Sequence, residues 1–237
     1  MFAVANSVYM KNNVVVVFSS HLSEEENQKF IKHIGNTIGV KHKVVCYPNF
    51  NQFSLSQIYN QAIAEHNNSD AIMVFCHNDI TIKTMNWGKL LLGKFNNQKF
   101  QIIGVAGTTF LAETGRWWED RTKMHGVVEH TNGLTNWVSE YSKPRKGYTV
   151  PVVLVDGLFI AADCNAITDG WDEDFSGFHL YDLGFCIPNY LNGCEIGVTT
   201  DIRIIHNSVG MTNQEWENNR IQFVQKYQHD LPIEYEL

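Results

Sequence analysis

The 237-residue sequence has no CxxC pair, no GxGxxG, no low-complexity tract and no excess of basic residues. Each absence removes a class of protein. Five cysteines, Cys46, Cys76, Cys164, Cys186 and Cys194, form an odd set without metal-ligand spacing. Several lie in apolar stretches, so they read as buried thiols in a reducing compartment rather than as a disulfide framework or a structural zinc site. Without GxGxxG, a dehydrogenase-type dinucleotide fold loses its main support. Residues 88–94, GKLLLGK, fit the start of a phosphate loop, but Phe95 stands where a Ser or Thr must hold magnesium. Leucines also replace the glycine-rich cradle, so that motif is rejected. With 18 basic against 25 acidic residues, the net charge of -7 offers no footprint for nucleic acid. Residues 1–13 lack a basic region followed by an adequate apolar run, so neither a signal peptide nor a membrane span is expected, and the expected location is cytoplasmic.

What is present is an alternation of short β-branched runs with amphipathic helices, the pattern of parallel βα units. Residues 14–18, VVVVF, predict a strand that ends in Ser19 and Ser20. Ser23 with Glu26 makes a capping box for a helix whose buried stripe is Phe30, Ile31 and Ile34. Residues 42–47 form strand two, and Ser54 caps a helix with Leu55, Ile58, Tyr59, Ala62 and Ile63 on its apolar face. The run at 71–76 is strand three. Residues 87–95 predict a helix, with or without a break, and 100–105 a fourth strand. Periodicity then fades over 110–144, apart from a short strand at 126–129. Asp156-Gly157 between two apolar runs signals a hairpin or β-turn. A helix is expected around 176–183, strands at 196–199 and 202–206, and a last helix opened by a Thr212–Glu215 capping box. The final residues read as a loose tail.

Chemistry-bearing residues gather at strand ends. His77, Asn78 and Asp79 follow a continuously apolar strand, the edge where ligands collect in open α/β sheets, although Asn and Asp also simply start turns. His77 with Asp79, then Asp156, the 172–182 segment and His206 supply carboxylates and imidazoles suited to Mn2+ or Mg2+. Asp172, Glu173, Asp174 and Asp182 lie among Trp171, Phe175, Phe178, His179, Tyr181 and Phe185. Apolar neighbours raise a carboxyl pKa, which suits a general base; the competing reading makes Asp172 to Asp174 a helix cap and His179 a partly exposed helical residue. Trp117 and Trp118 either pin an irregular loop or form a flat wall for sugar faces.

Six segments, VVVVFSS, SLSQIYNQAI, AIMVFCHNDI, VPVVLVDGLFIA, WDEDFSGFHLYDLGFC and IRIIHNSVG, occur in an order that resembles the inverting glycosyltransferases of the large family 2 type, specifically their small bacterial glycosyltransferase-like branch. The resemblance implies an α/β GT-A fold, a mostly parallel sheet flanked by helices with a mixed second half, as one domain over 1–237. Its nucleotide-binding half would cover about 1–109, its acceptor and catalytic half about 110–211, and a C-terminal helix about 212–230. It further implies transfer from a nucleotide-diphosphate sugar to a saccharide or glycoconjugate acceptor, lipid-linked acceptors at the inner membrane face included, with Mn2+ or Mg2+. The His77-Asn78-Asp79 triplet matches the family's metal-binding Asp-x-Asp, with Asp79 retained, His77 departing, and His206 as a late ligand. Ser19, Ser20, Tyr59, Asn60 and Asn78 match the donor site. Asp156-Gly157 matches the acceptor-side turn, and Trp117, Trp118, Trp171, His179 and Tyr181 are further acceptor candidates. Asp182 matches the catalytic base, with Glu173 as second candidate, while Gly184 replaces the aspartate that follows the base in many members. A silent nucleotide- or saccharide-binding relative is the first alternative. A sugar-phosphate nucleotidyltransferase is the second, and it lacks the expected glycine-rich, basic loop.

Overall fold

The computed structural model describes residues 10–68, 70–97, 99–208, 210 and 212–236. The first half alternates as its pattern predicts: β1 (Asn13–Ser20), α1 (Glu24–Ile38), β2 (Lys41–Pro48), α2 (Leu55–His66) and β3 (Ala71–Cys76). Next come β4 (Ile80–Ile82), α3 (Trp87–Asn97), β5 (Ile102–Gly104), β6 (Ala106–Thr108) and β7 (Phe110–Leu111). The second half holds β8 (Met124–Thr131), β9 (Asn136–Glu140), β10 (Thr149–Val152), β11 (Leu154–Val155) and β12 (Phe159–Ala162). It closes with α4 (Tyr181–Leu191), β13 (Ile196–Thr199), β14 (Ile204–His206), α5 (Gln214–Lys226) and β15 (Ile233–Glu234).

Among the described residues the main sheet has seven strands in the order β10-β13-β5-β12-β3-β1-β2. β1 pairs in parallel with both β2 and β3, and β13 with β5, whereas β12 runs antiparallel between β3 and β5. The two faces of β1 and β3 bury alternate residues, as a strand's period of two requires. Val14, Val16, Phe18, Ile72 and Val74 meet Phe30, Ile34 and Ile38 of α1 and Trp87 and Leu91 of α3. Val15, Val17, Met73 and Phe75 meet Leu55, Ile58 and Tyr59 of α2 and Phe185 of α4. Both capping boxes form: Ser23 with Glu26 starts α1, and Ser54 with Gln57 starts α2.

A second sheet runs β11-β6-β8-β14-β4, with β9 folded against β8. Thus the stretch 110–144 contains a hairpin where periodicity fades; its strands are short or partly exposed and carry little pattern. The GKLLLGK segment lies inside the unbroken helix α3. Its Lys94 is buried and ion-paired to Asp201 at 2.7 Å, which confirms that it cradles no phosphate.

Four expectations are corrected. β11 and β12 belong to different sheets, so the turn expected at Asp156-Gly157 forms, with Leu158 N donating to Asp156 Oδ1 at 2.8 Å, but it carries the chain between sheets and closes no hairpin. The helix expected around 176–183 starts only at Tyr181, so Asp172 and Asp174 cap nothing; each lies 2.7 Å from the Lys226 ammonium. α5 is capped by Asn213, whose side chain accepts from Trp216 N, rather than by Thr212. The tail expected to be loose carries β15, whose Ile233 and Glu234 pair with Leu111 and Phe110 of β7.

Candidate active site

Two strand registers build the polar cluster. In the antiparallel ladder of β12 on β3, Phe159 faces Cys76. The turn just before β12, Asp156-Gly157, therefore lands beside the residues just after β3, and His77 N donates to Leu158 O at 3.2 Å. In the ladder of β14 on β4, His206 faces Ile80, which brings His206 against Asp79 from the other side.

The result is a triad of His77, Asp79 and His206, whose ligand atoms lie within 4.8 Å of one another. His77 Nδ1 is 3.7 Å from Asp79 Oδ1, and His206 Nε2 is 3.4 Å from Asp79 Oδ2. Asp79 Oδ1 is buried and has no hydrogen-bond partner. An orphaned carboxylate oxygen between two imidazoles is costly without a cation, so the donor set fits a divalent metal ion. Burial works against the Asp79 carboxylate, but bonds from His206 and Ser208 and the two imidazoles outweigh it and hold its pKa well below the usual range. Burial pushes the His77 pKa down against the pull of Asp79, which favours the neutral ring a metal needs.

Tyr181 and Asp182 open α4 on the far side of Gly157. Leu180, just before them, is buried and adopts a left-handed φ of 60°. Such a conformation costs about 1 kcal/mol or more for a non-glycine residue and persists where packing dictates it. Asp182 accepts from Leu183 N at 3.0 Å and Gly157 N at 3.2 Å. Burial and, after it, the charge of Asp156 push its pKa up to about 7, against those two N–H bonds. A carboxylate poised near neutrality is suited to take a proton from a hydroxyl. Gly184 has a steric reason: a Cβ there would stand 2.7 Å from the Phe175 ring, so a second carboxylate has no room.

His77, Asp79, His206, Asp156, Tyr181 and Asp182 line a single cavity of about 700 Å³. Ser19, Ser20, Asn78 and Tyr59 border one side, and the Asn78 amide donates to Ser20 Oγ at 2.9 Å, tying the ends of β1 and β3 together. Trp117, Trp118, His179, Tyr181, Asp156 and Gly157 also line it.

Three candidates fall outside. Trp171 is 2% exposed and stacks on Phe185 at 4.0 Å, so it is core and no acceptor wall. Glu173 is exposed and does not line this cavity; its carboxylate accepts from the Asn60 amide at 2.7 Å. Asn60 is likewise spent on structure, bonding the backbone N and O of Trp171 at 2.8 Å each. Its work is to fasten the irregular 163–180 segment to α2. Asn219 of α5 fastens the same segment from the other side through Ser176 O and His179 O.

Sequence reasoning missed Asn49, Asn51, Phe178, Ser208 and Trp216, all of which line the cavity. Asn49 and Asn51 follow β2 at the same sheet edge as the other strand-end residues, a signal that was available. Trp216 was not legible as a lining residue: it sits in α5 and reaches the cavity by packing near Trp118, ring centres 5.4 Å apart.

The α/β fold that carries this cluster at the carboxyl end of β3 is the GT-A fold of glycosyltransferases. Solved structures of that class share the fold. GalNAc-T7 with UDP, GalNAc and Mn2+ superimposes with a TM-score of 0.60 over 91% of this chain at 9% identity. The mannosyltransferase PcManGT from Pyrobaculum calidifontis, in complex with GDP-Man and Mn2+, gives 0.53 over 93% at 9% identity. The chain spans 48% of the former and 65% of the latter. No curated protein matches the sequence. The profile of the family described as "Glycosyltransferase like family" matches residues 8–227, and the chain belongs to that family.

Proposed function

We propose that this chain transfers a sugar from a nucleotide-diphosphate sugar to a hydroxyl of a saccharide or glycoconjugate acceptor, with inversion at the anomeric carbon. The observation that carries this reading is the single cavity that holds the His77–Asp79–His206 triad together with Asp182, whose pKa lies near 7.

His77, Asp79 and His206 would hold the divalent cation, and two imidazoles with one carboxylate favour Mn2+ over Mg2+. The two solved structures of similar fold contain Mn2+ with UDP and GalNAc in one case and with GDP-Man in the other. When bound, the ion supplies positive charge to the departing diphosphate, a contribution of several kcal/mol. Ser19, Ser20 and Asn78 border the strand ends where the nucleoside would rest. Asp182 takes the proton of the acceptor hydroxyl as that oxygen attacks, and one base is all that a single inverting displacement needs. Trp118, 37% exposed and backed by Trp216, would offer its indole face to the acceptor sugar. Among the described residues no helix is long and apolar enough to cross a membrane.

The test is calorimetric titration of uridine, guanosine and thymidine diphosphates and their sugars into wild type and Asp79→Ala, with Mn2+, Mg2+ or chelator. Mn2+-dependent binding of one nucleotide, lost in the variant, is expected. A folded wild type that binds none of them would overturn the reading and leave a saccharide-binding relative.

A further inference from the structure

The hydroxyl of Tyr181 and Nε2 of His77 lie 2.8 Å apart, joining residues 104 positions distant in the chain. Tyr181 has little freedom to leave that contact. It is 4% exposed, with the rings of Tyr59 and Trp171 at 6.0 and 5.9 Å. Gly157 closes against its hydroxyl, where a Cβ would stand 2.1 Å from the oxygen. The opposite nitrogen of His77 is differently placed. Nδ1 is 3.7 Å from Asp79 Oδ1, beyond hydrogen-bond reach, and that oxygen has no donor at all. The 2.8 Å contact admits either direction, Tyr181 O–H to Nε2 or Nε2–H to the Tyr181 oxygen; a proton on Nδ1 would face only Asp79 Oδ1 at 3.7 Å, whereas a proton on Nε2 meets an acceptor at ideal distance.

We propose that Tyr181 is a positioning residue that accepts the Nε2–H of His77, fixes that ring as the Nε2–H tautomer and leaves the Nδ1 lone pair aimed between Asp79 and His206. Ligating histidines commonly donate their second N–H to a carboxylate, carbonyl or water; here a buried phenol does that work. The device answers a problem specific to this chain. A carboxylate at position 77 would present an acceptor in any rotamer, but an imidazole ligates only if the correct nitrogen is free. Since Tyr181 directly precedes Asp182, one turn of α4 sets both the ligand tautomer and the base.

The inference rests on the metal reading only in its consequence; the tautomer exists without metal. Long-range 1H–15N correlation spectra of metal-free, 15N-labelled protein at pH 8, with His77 assigned by the peaks lost in His77→Gln, read the tautomer directly. The Nε2–H pattern is expected in wild type; an Nδ1–H pattern would overturn the proposal, and this readout needs no change at Tyr181. Tyr181→Phe removes one oxygen. It is expected to mix the two tautomers and to weaken Mn2+ binding, measured by calorimetry without nucleotide, by about 10- to 100-fold. Unchanged tautomer and unchanged Mn2+ affinity in a folded Tyr181→Phe protein would also overturn it. A wild type showing the Nε2–H tautomer but no Mn2+ binding would sink the metal reading while leaving the positioning claim standing.

Discussion

The two sides of the cavity are built by different means. On the β1–β3 side, Ser19, Ser20, His77, Asn78 and Asp79 sit at or just after the ends of parallel strands whose interiors are fully buried. Their positions follow from the strands, which are rigid because both faces are covered. On the other side, Asp182 follows an irregular stretch from residue 163 to 180 that makes few ladder bonds. Side chains on flanking helices hold that stretch: Asn60 from α2, and Asn219 and Lys226 from α5. The wall proposed to bind metal is thus a product of the sheet, while the proposed base is held by a clamp. Damage to the sheet side should cost stability first, and damage to the clamp should cost catalysis first.

The sharpest way to break the comparison is to remove the base itself. Asp182→Asn is expected to lower kcat by about 10²- to 10⁴-fold with donor affinity kept, since it removes proton transfer and little volume. In wild type, kcat/KM should climb with pH through about 7, as Asp182 loses its proton. A variant with near-normal turnover would move the base elsewhere on the clamp side, with Asp156 first in line. On the sheet side, Asp79→Ala should weaken Mn2+ binding by about 100-fold or more, because it removes the carboxylate shared by two imidazoles. Equal Mn2+ affinity in calorimetry would discard the triad.

Stability against pH probes the same carboxylate from another direction. The folded protein holds the Asp182 proton up to about pH 7, whereas an unfolded aspartate releases it near 3.8. Between those values the folded state binds more protons, so rising pH reduces stability. Asp182→Asn should therefore become more stable than wild type as pH rises from about 4 to about 7, by a few kcal/mol at most, with no further divergence above that window. Urea unfolding at several pH values reads this, and a constant difference would mean an unperturbed carboxyl.

Smaller effects separate clamp from sheet. Asn219→Ala leaves two carbonyls without their donor and should cost about 1–3 kcal/mol. Ile34→Val, in the core under β1, should cost about 0.5–1.5 kcal/mol. Only Asn219→Ala is expected to lower kcat at a temperature where both proteins are folded. Equal kcat in the two variants would show that the clamp does not position Asp182. Last, Trp118→Ala should raise the acceptor KM by roughly 10-fold or less while leaving donor binding intact, from loss of an exposed stacking face.

Much of the first half is legible in the sequence because its signals are local. Ser23 and Glu26, or Ser54 and Gln57, stand three residues apart and report helix starts wherever the chain goes afterwards. A continuously apolar run such as residues 71–76 states burial on both faces without reference to a partner. Hence the polar triplet at 77–79 can be recognised as a strand-end group from sequence alone. The resemblance to family 2 enzymes carried Asp182 further than pattern could, and it also carried Trp171, Glu173 and Asn60 into roles that the packing denies them.

Those three residues show what pattern cannot decide. A tryptophan beside carboxylates looks the same in a cleft as in a core; only the stacking on Phe185 assigns it to the core. Likewise Glu173 and Asp182 are both acids in an aromatic segment, yet one meets the Asn60 amide at the surface and the other lies beneath Gly157. The convergence of His77, Asp79, His206 and Asp182 depends on the registers of β12 on β3 and of β14 on β4. A shift of one residue in either ladder would turn these side chains to the opposite face. By itself the sequence determined the strands β1, β2 and β3, the caps of α1 and α2 and the polar residues available at the sheet edge, since these follow from neighbours a few positions away. Only the tertiary structure decided which of them meet, because register is set by packing between segments about a hundred residues apart.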